Sequence, residues 1–325
     1  MYHFLVRRIL GALVILLIIT AVTFFLFFAI PRDPARLACG KICPPETLEL
    51  VRHNMGIDEP VFLQYWHWLA GIFAGREFTY GHCDAPCLGY SFVNQEPIFD
   101  AIVDRFPTTL SLTIGAAVVF LLFGVGTGMI AAARRGRAAD KIASSASLVG
   151  ASMQIYFVGV LATWVLVDRL RVLERPAYHD FTADPFAWAG GLLLPWLVLS
   201  IIFTANYTRM TRSSMVEQLS EDYVRTARAK GMSSRTVFLR FAWRGAMGPI
   251  ITIFGVDLGT LLGGAIITEQ TFSLHGIGEL SIKAVVNQDL PMLLGVVLVS
   301  AAAIVVFNIV VDAAYAVIDP RVRLS

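Results

Sequence analysis

Three groups of residues in this sequence have types and spacings that bear on chemistry. Two Cys-x3-Cys pairs, Cys39 with Cys43 and Cys83 with Cys87, hold all four cysteines. In an oxidising compartment such cysteines form disulfides, in any of three pairings; the alternative is zinc, with His53 and His82 nearby in the chain. A second group, Tyr223, Arg225, Thr226, Ala227, Arg228 and Lys230, ends at Gly231 and offers three cations beside a turn residue. That composition suits docking to a protein groove or lying on anionic lipid. The third is Asp257, a lone carboxylate inside a long apolar run.

Enzyme signatures are missing. No G-x-x-x-x-G-K-[ST] is present to cradle nucleotide phosphates, Gly40-Lys41 being followed by Ile42. Neither H-E-x-x-H nor G-x-S-x-G occurs, and the run from His275 to Gly278 lacks the third glycine of a dinucleotide fingerprint. The chain is therefore expected to carry no catalytic residues, no metal and no cofactor of its own.

The elements that position these residues follow from composition. Of 325 residues 56% are hydrophobic and only 15% charged, where a soluble domain carries about a quarter charged. A net charge of +2 gives no support for nucleic-acid binding. Six apolar runs approach or exceed the roughly 20 residues needed to cross a bilayer: 9–30, 108–133, 142–167, 186–205, 246–268 and 290–318. The first follows Arg7 and Arg8 but is too long for the apolar region of a cleaved signal, so it reads as a retained span. The predicted class is an all-α integral membrane protein with six transmembrane helices, with a kink at Pro195.

Orientation follows from basic residues, which stay on the cytoplasmic side. An inside N-terminus places 16 of the 26 Lys and Arg inside, four of them in the short turn from Arg134 to Lys141, and 17 of the 24 acids outside. Both termini are then cytoplasmic. The domains read as 1–30, the first helix; 31–105, an external loop subdomain holding all four cysteines; 106–318, five further helices with a cytoplasmic loop at 206–245; and 319–325, a cytoplasmic tail. In the external loop Tyr65, Trp66 and Trp68 read as aromatics at the membrane interface. The inner loop reads as a helix stopping at Gly231 and a second helix capped by Ser233 or Ser234, with Val237, Phe238, Phe241 and Ala242 on one side.

YVRTARAKGM at Tyr223–Met232, with Pro249 opening the next span, resembles the cytoplasmic coupling motif of binding-protein-dependent ABC importer permeases, in the oligopeptide and dipeptide permease family. The resemblance extends over the chain: IPRDP after the first span, MGIDEP at Met55–Pro60 with Gln64, Tyr65 and Trp68, GGAIITEQTFSLHGIGEL at Gly263–Leu280, Asp289-Leu290-Pro291, Asn308, Asp312, Tyr315 and DPRVR at Asp319–Arg323. It departs in four places. Arg32 stands for a glycine, Arg225-Thr226-Ala227 for the Glu-Ala-Ala of the broader permease motif, as expected for the peptide branch, Gly248-Pro249 for that motif's Leu-Pro, and an insert around Cys83 to Tyr90 interrupts a compact Gly-Asp-Leu-Gly-x-Ser.

The resemblance implies the type I ABC importer permease fold and a peptide importer, relatives also handling nickel or glutathione. It implies a second permease subunit sharing the path as a heterodimer, and two ATPase domains that bind ATP and Mg and dock at Tyr223, Arg225, Thr226, Ala227, Arg228, Lys230, Gly231 and Pro249. An extracytoplasmic peptide-binding protein delivers cargo. In that family the stretch holding Glu269, Phe272, Gly276 and Gly278 approaches the external gate; a plain turn is the alternative. Asp257 either lines the path or is satisfied by a neighbouring helix, Gly255 and Gly259 allowing close packing. An ion-coupled carrier, which needs central acids and inverted repeats, and a membrane scaffold without transport are the competing functions.

Overall fold

The computed structural model describes residues 2–28, 33, 35–36, 39, 43–55, 59–78 and 81–318. The helices are α1 (Tyr2–Phe28), α2 (Pro45–Met55), α3 (Val61–Ala74), α4 (Ile98–Ala133), α5 (Ala138–Ser152), α6 (Ile155–Arg169), α7 (Pro185–Ser220), α8 (Asp222–Ala229), α9 (Ser234–Leu262), α10 (Ile266–Phe272), α11 (Ile277–Asn287) and α12 (Leu290–Ile318). Two antiparallel hairpins lie between α3 and α4. Strand β1 (Arg76–Phe78) pairs with β2 (Gly81–Cys83) in the register Glu77 to His82, and β3 (Tyr90–Ser91) pairs with β4 (Glu96–Pro97). Arg32, Gly40 to Ile42, Asp58 and the DPRVR stretch lie outside the described residues, as do the side chains of Asp312 and Tyr315.

Among the described residues five helices are long and apolar enough to cross a membrane, and a sixth span exists if α5 and α6 count as one. That pair corrects the reading of 142–167 as one straight span: the chain bends by 97° at Met153 and Gln154, both extended. No glycine or proline marks the break. A second correction concerns the inner loop. Helix α7 does not stop near Ala205 but runs 36 residues to Ser220, unbroken at Pro195. Its length of about 54 Å exceeds a bilayer core of about 30 Å. Hydropathy ends where Arg209 and Arg212 appear, but helix formation does not, since no glycine or proline stops it before Ser220. At its start Asp184 caps the helix, accepting from Phe186 N–H at 2.9 Å and Ala187 N–H at 3.0 Å. A third correction is that the fifth span ends at Leu262, before Gly263-Gly264, and α10 is a separate short helix.

The chain forms two compact units. The first holds residues 1–110, 259–269 and 275–309. Its interior joins Ile98 and Ile102 of α4, Ile277, Leu280 and Ala284 of α11, and Met292 and Val296 of α12. Phe24 of α1 packs on Tyr65 and Trp68 of α3 with ring centroids 5.4 and 5.6 Å apart, and Leu294 and Leu298 close that cluster. Tyr65 and Trp68 are therefore interior residues, and only Trp66 of the three predicted interface aromatics is exposed, as are Phe62 and Phe73. Most of α1 is apolar on every face and hardly any of it is buried between Val6 and Leu26, as a lipid-facing helix requires.

The second unit holds 111–258, 270–274 and 310–325. Helix α7 is its axis, flanked by the later part of α4 and by α5. Phe120 packs on Phe203 and Tyr207 with centroids 5.0 and 4.9 Å apart. Three π-helical turns, Leu121–Val125, Thr163–Arg169 and Val237–Ala242, interrupt its α geometry.

Candidate functional site

The Tyr223–Gly231 cluster folds as α8, clasped between the end of α7 and the start of α9. Val224 and Ala227 face inward onto Val237, with Leu219 and Phe241 packed beside them. Ser233 caps α9 through Thr236 N–H. Gly231 ends α8 in a Schellman arrangement: Gly231 N–H donates to Arg228 O at 2.9 Å and Met232 N–H to Ala227 O at 3.3 Å. Its φ of +78° is the left-handed conformation that glycine adopts without Cβ strain. Tyr223 Oη donates to Gln218 Oε1 at 2.6 Å, and Gly245 of α9 lies where a Cβ would touch that same oxygen.

The outer face of α8 presents Tyr223, Arg225, Thr226, Arg228 and Lys230, all exposed. Arg225 pairs only with Asp222 one turn back, at 3.6 Å. Arg228 and Lys230 form no ion pair among the described residues. Ala227, grouped with the docking residues by sequence, lies beneath the helix and holds it down. Pro249 is an exposed residue inside α9.

Asp257 of α9 accepts a hydrogen bond from Tyr207 Oη of α7 at 2.8 Å, a partner nothing in the sequence pointed to. Gly255 beside it touches Val311, where a Cβ would come within 2.2 Å of Cγ2. The carboxylate is half-buried. It thus has a neighbouring helix for a partner and keeps part of its surface accessible.

Glu269, Gly276 and Gly278 come together. Glu269 is fully buried; its Oε1 accepts from Thr109 Oγ1 at 2.9 Å and its Oε2 from Glu279 N–H at 3.0 Å. Thr109 also accepts from Ile277 N–H at 2.9 Å. A Cβ on Gly276 would lie 2.3 Å from the Glu269 carboxyl carbon, and one on Gly278 would lie 2.7 Å from Ile266 Cα. The glycines are therefore where the backbone wraps the carboxylate, which is more than a plain turn. Phe272, also buried, packs its ring on Gly159 of α6.

Two polar links escaped the sequence reading. Arg212 of α7 forks onto Asp140 of α5, Nε to Oδ1 and Nη2 to Oδ2, while Asp140 also accepts from Gly136 N–H at 2.8 Å. Asp289 accepts from Ser91 Oγ at 2.5 Å and from Met292 N–H at 3.2 Å, capping α12 and tying it to β3. The signal for both was only a charged residue at the edge of an apolar run.

Both disulfides form within their own Cys-x3-Cys motif, Cys39 with Cys43 and Cys83 with Cys87, each with Cα atoms 5.6 Å apart. The pairing that the sequence left open is thus decided, and zinc loses its thiolate ligands. His53 is exposed, and His82 stands beside Glu77 and Asp84 on the surface.

The family described as binding-protein-dependent transport system inner membrane component matches residues 124–324, and its N-terminal companion family matches residues 1–113. A glutathione transport system permease protein GsiC of Escherichia coli strain K12 is 35% identical over 323 residues, covering 99% of each chain. A Brucella abortus protein provisionally named a peptide transport system permease is 34% identical over 317 residues, 98% of each chain. Among solved structures, an inward-facing MetNI methionine ABC transporter chain aligns with a TM-score of 0.55 over 69% of this chain and 99% of that one, at 13% identity, a likeness of fold. The chain belongs to the inner membrane component family of binding-protein-dependent transport systems, as a multi-pass permease subunit of an ABC importer whose ATP hydrolysis is carried out by partner subunits.

Proposed function

We propose that this permease carries peptides, pairing with a second permease as a heterodimer, taking cargo from an extracytoplasmic peptide-binding protein, and docking two ATPase domains that bind ATP and Mg on the exposed face of α8. The peptide class rests on the relatives, one provisionally named for peptides and others for glutathione, itself a small peptide. Both termini lie in the cytoplasm in this reading, which puts α8 and the turn at Arg134 to Arg137 on the ATPase side.

The observation that carries the reading is the construction of α8. Its inner face is locked by Val224 and Ala227, its end is set by Gly231, and its outer face offers Tyr223, Arg225, Thr226, Arg228 and Lys230 to a partner. A short helix fixed at both ends transmits displacement as a rigid body, which is what coupling ATPase closure to alternating access requires. Each exposed ion pair with the ATPase is worth only about 0 to 1 kcal/mol, so shape at Gly231 and Thr226 dominates the fit. Pro249 positions the start of the membrane part of α9.

In the membrane, Asp257 lines the path with one face while Tyr207 holds the other, and the stretch of chain carrying Glu269, Phe272, Gly276 and Gly278 approaches the outer gate. Substituting Gly231→Trp tests the docking. A Cβ there meets no neighbour within 4 Å, so the indole projects outward toward a partner, and the strain that any Cβ adds at the left-handed φ of +78° is reported separately by Gly231→Ala. Loss of ATPase co-purification and of ATP-dependent peptide uptake, with normal membrane insertion, is the expected result; unchanged association and uptake would make α8 a lipid-surface helix instead.

A further inference from the structure

Between α1, α3, the hairpins and the head of α12, all within the first compact unit, lies a cleft open to solvent. Its wall is aromatic: Phe24, Trp68, Phe78, Tyr90 and Phe92, with Phe78 to Tyr90 and Tyr90 to Phe92 centroids 5.7 and 6.1 Å apart. Among the described residues one charged side chain lines it, Arg76. Strand alternation explains the placement. Arg76 and Phe78 share the inner face of β1 and Glu77 points outward, so the guanidinium lies over the Phe78 ring at 5.4 Å and the nearest acid in sequence faces water.

Arg76 is half-buried, which pushes its guanidinium pKa down, and among the described residues its side chain has neither an ion pair nor a hydrogen bond. Among the described residues no carboxylate lines the cleft. Arg52, another cation of this region, is committed to Asp33 at 2.6 Å. The Arg76 stem is held by α3: it crosses Gly71, where a Cβ would stand 2.2 Å from Arg76 Cδ. The Cys39–Cys43 disulfide packs in the same cluster as Tyr90 and Phe92 and fixes the opposite wall. A partly desolvated guanidinium with all its donors unused, set in a ring of aromatics, is matched by a planar monoanion attached to an apolar body.

We propose that this cleft binds the C-terminal carboxylate of a short peptide ending in an apolar or aromatic residue, with Arg76 taking the carboxylate and the Phe78, Tyr90 and Phe92 rings the side chain. The inference rests on the peptide-importer reading for its ligand class. It adds a peptide subsite on the permease itself, on the side where cargo arrives in the proposed orientation.

The test uses the full permease in zwitterionic nanodiscs, without ATPases or binding protein. The probe is a tripeptide ending in p-benzoylphenylalanine, made as the free acid and as the amide. The acid is expected to crosslink to α3 or to the hairpins about tenfold or more better than the amide, the loss of one charge-assisted pair. Arg76→Gln is expected to abolish that preference. Equal labelling by acid and amide, or an acid preference unchanged in Arg76→Gln, overturns the proposal; so does loss of labelling when phosphatidylglycerol is added, which assigns the site to lipid phosphate. If Arg76→Gln fails to insert, the acid and amide comparison on the unaltered chain decides, with Gly71→Ala as the second variant, expected to displace the Arg76 stem and weaken acid labelling. Labelling needs no ATPase. Peptide uptake that persists without any acid preference removes the cleft alone, and an acid preference without ATP-dependent uptake removes the importer reading alone.

Discussion

Thr109 and Glu269, 160 residues apart, meet in a 2.9 Å hydrogen bond, and the same Thr109 hydroxyl receives the Ile277 N–H. One side chain thus donates to the carboxylate of α10 and caps the start of α11. Thr109→Val removes both roles while keeping the shape. An unpaired buried group costs about 1 to 3 kcal/mol, so a lowered melting temperature in detergent and reduced uptake are expected, with Thr109→Ser restoring both. Equal stability of the Val and Ser variants would refute the role.

Gly276→Ala, like Gly278→Ala, is expected to be worse than Gly190→Ala for insertion and stability. Its Cβ would stand 2.3 Å from the Glu269 carboxyl, forcing a buried group to move, whereas at Gly190 a Cβ meets nothing. Overpacking of this kind costs about 1 to 3 kcal/mol. Thermal unfolding of the three purified variants ranks them directly.

Arg212 and Asp140 predict a contrast within one helix. Arg212→Met leaves the buried Asp140 carboxylate with only the Gly136 N–H and the long Ser144 contact, whereas Arg209→Met removes only a local bond to Asn206. Expression and thermal stability should fall clearly in the first and hardly in the second. Comparable losses would show that the fork between α5 and α7 contributes little.

Asp289 gives a pH signature. Burial raises its carboxyl above the ordinary value, against the lowering effect of the Ser91 hydrogen bond. A raised carboxyl favours the neutral form in the folded state. Its stabilising contribution is therefore full below the unfolded value of about 4 and is lost as pH rises through the folded value. Asp289→Asn keeps the cap geometry without titrating. The melting temperature of the natural chain relative to Asp289→Asn should climb as pH is lowered from neutral toward about 4; parallel curves would contradict it.

The spans were legible because hydropathy is local: an apolar run longer than a bilayer core must face lipid or protein, wherever it sits. Gly231 and Ser233 were legible for a similar reason, since helix ends are set by conformation and capping within a few residues. The end of α7 was not, because hydropathy falls at Arg209 while the helix has no reason to stop until Ser220.

Local pattern also could not show the partners of Glu269, Asp257, Asp140 and Asp289. Each carboxylate was visible in the sequence as an acid in or beside apolar surroundings, and that cost demanded a partner. Which partner it found, Thr109, Tyr207, Arg212 or Ser91, depended on helices brought together by packing across 50 to 198 residues of chain. The disulfide pairing was open for the same reason: spacing allowed three answers, and only the fold brought each Cα pair to 5.6 Å. The sequence determined by itself that the chain crosses a membrane and carries a short helix ending at Gly231, because burial of apolar area and helix capping act over neighbouring residues. Tertiary structure alone decided which buried charges are satisfied and by whom, because a hydrogen bond requires two groups within about 3 Å and nothing in one-dimensional spacing fixes that distance.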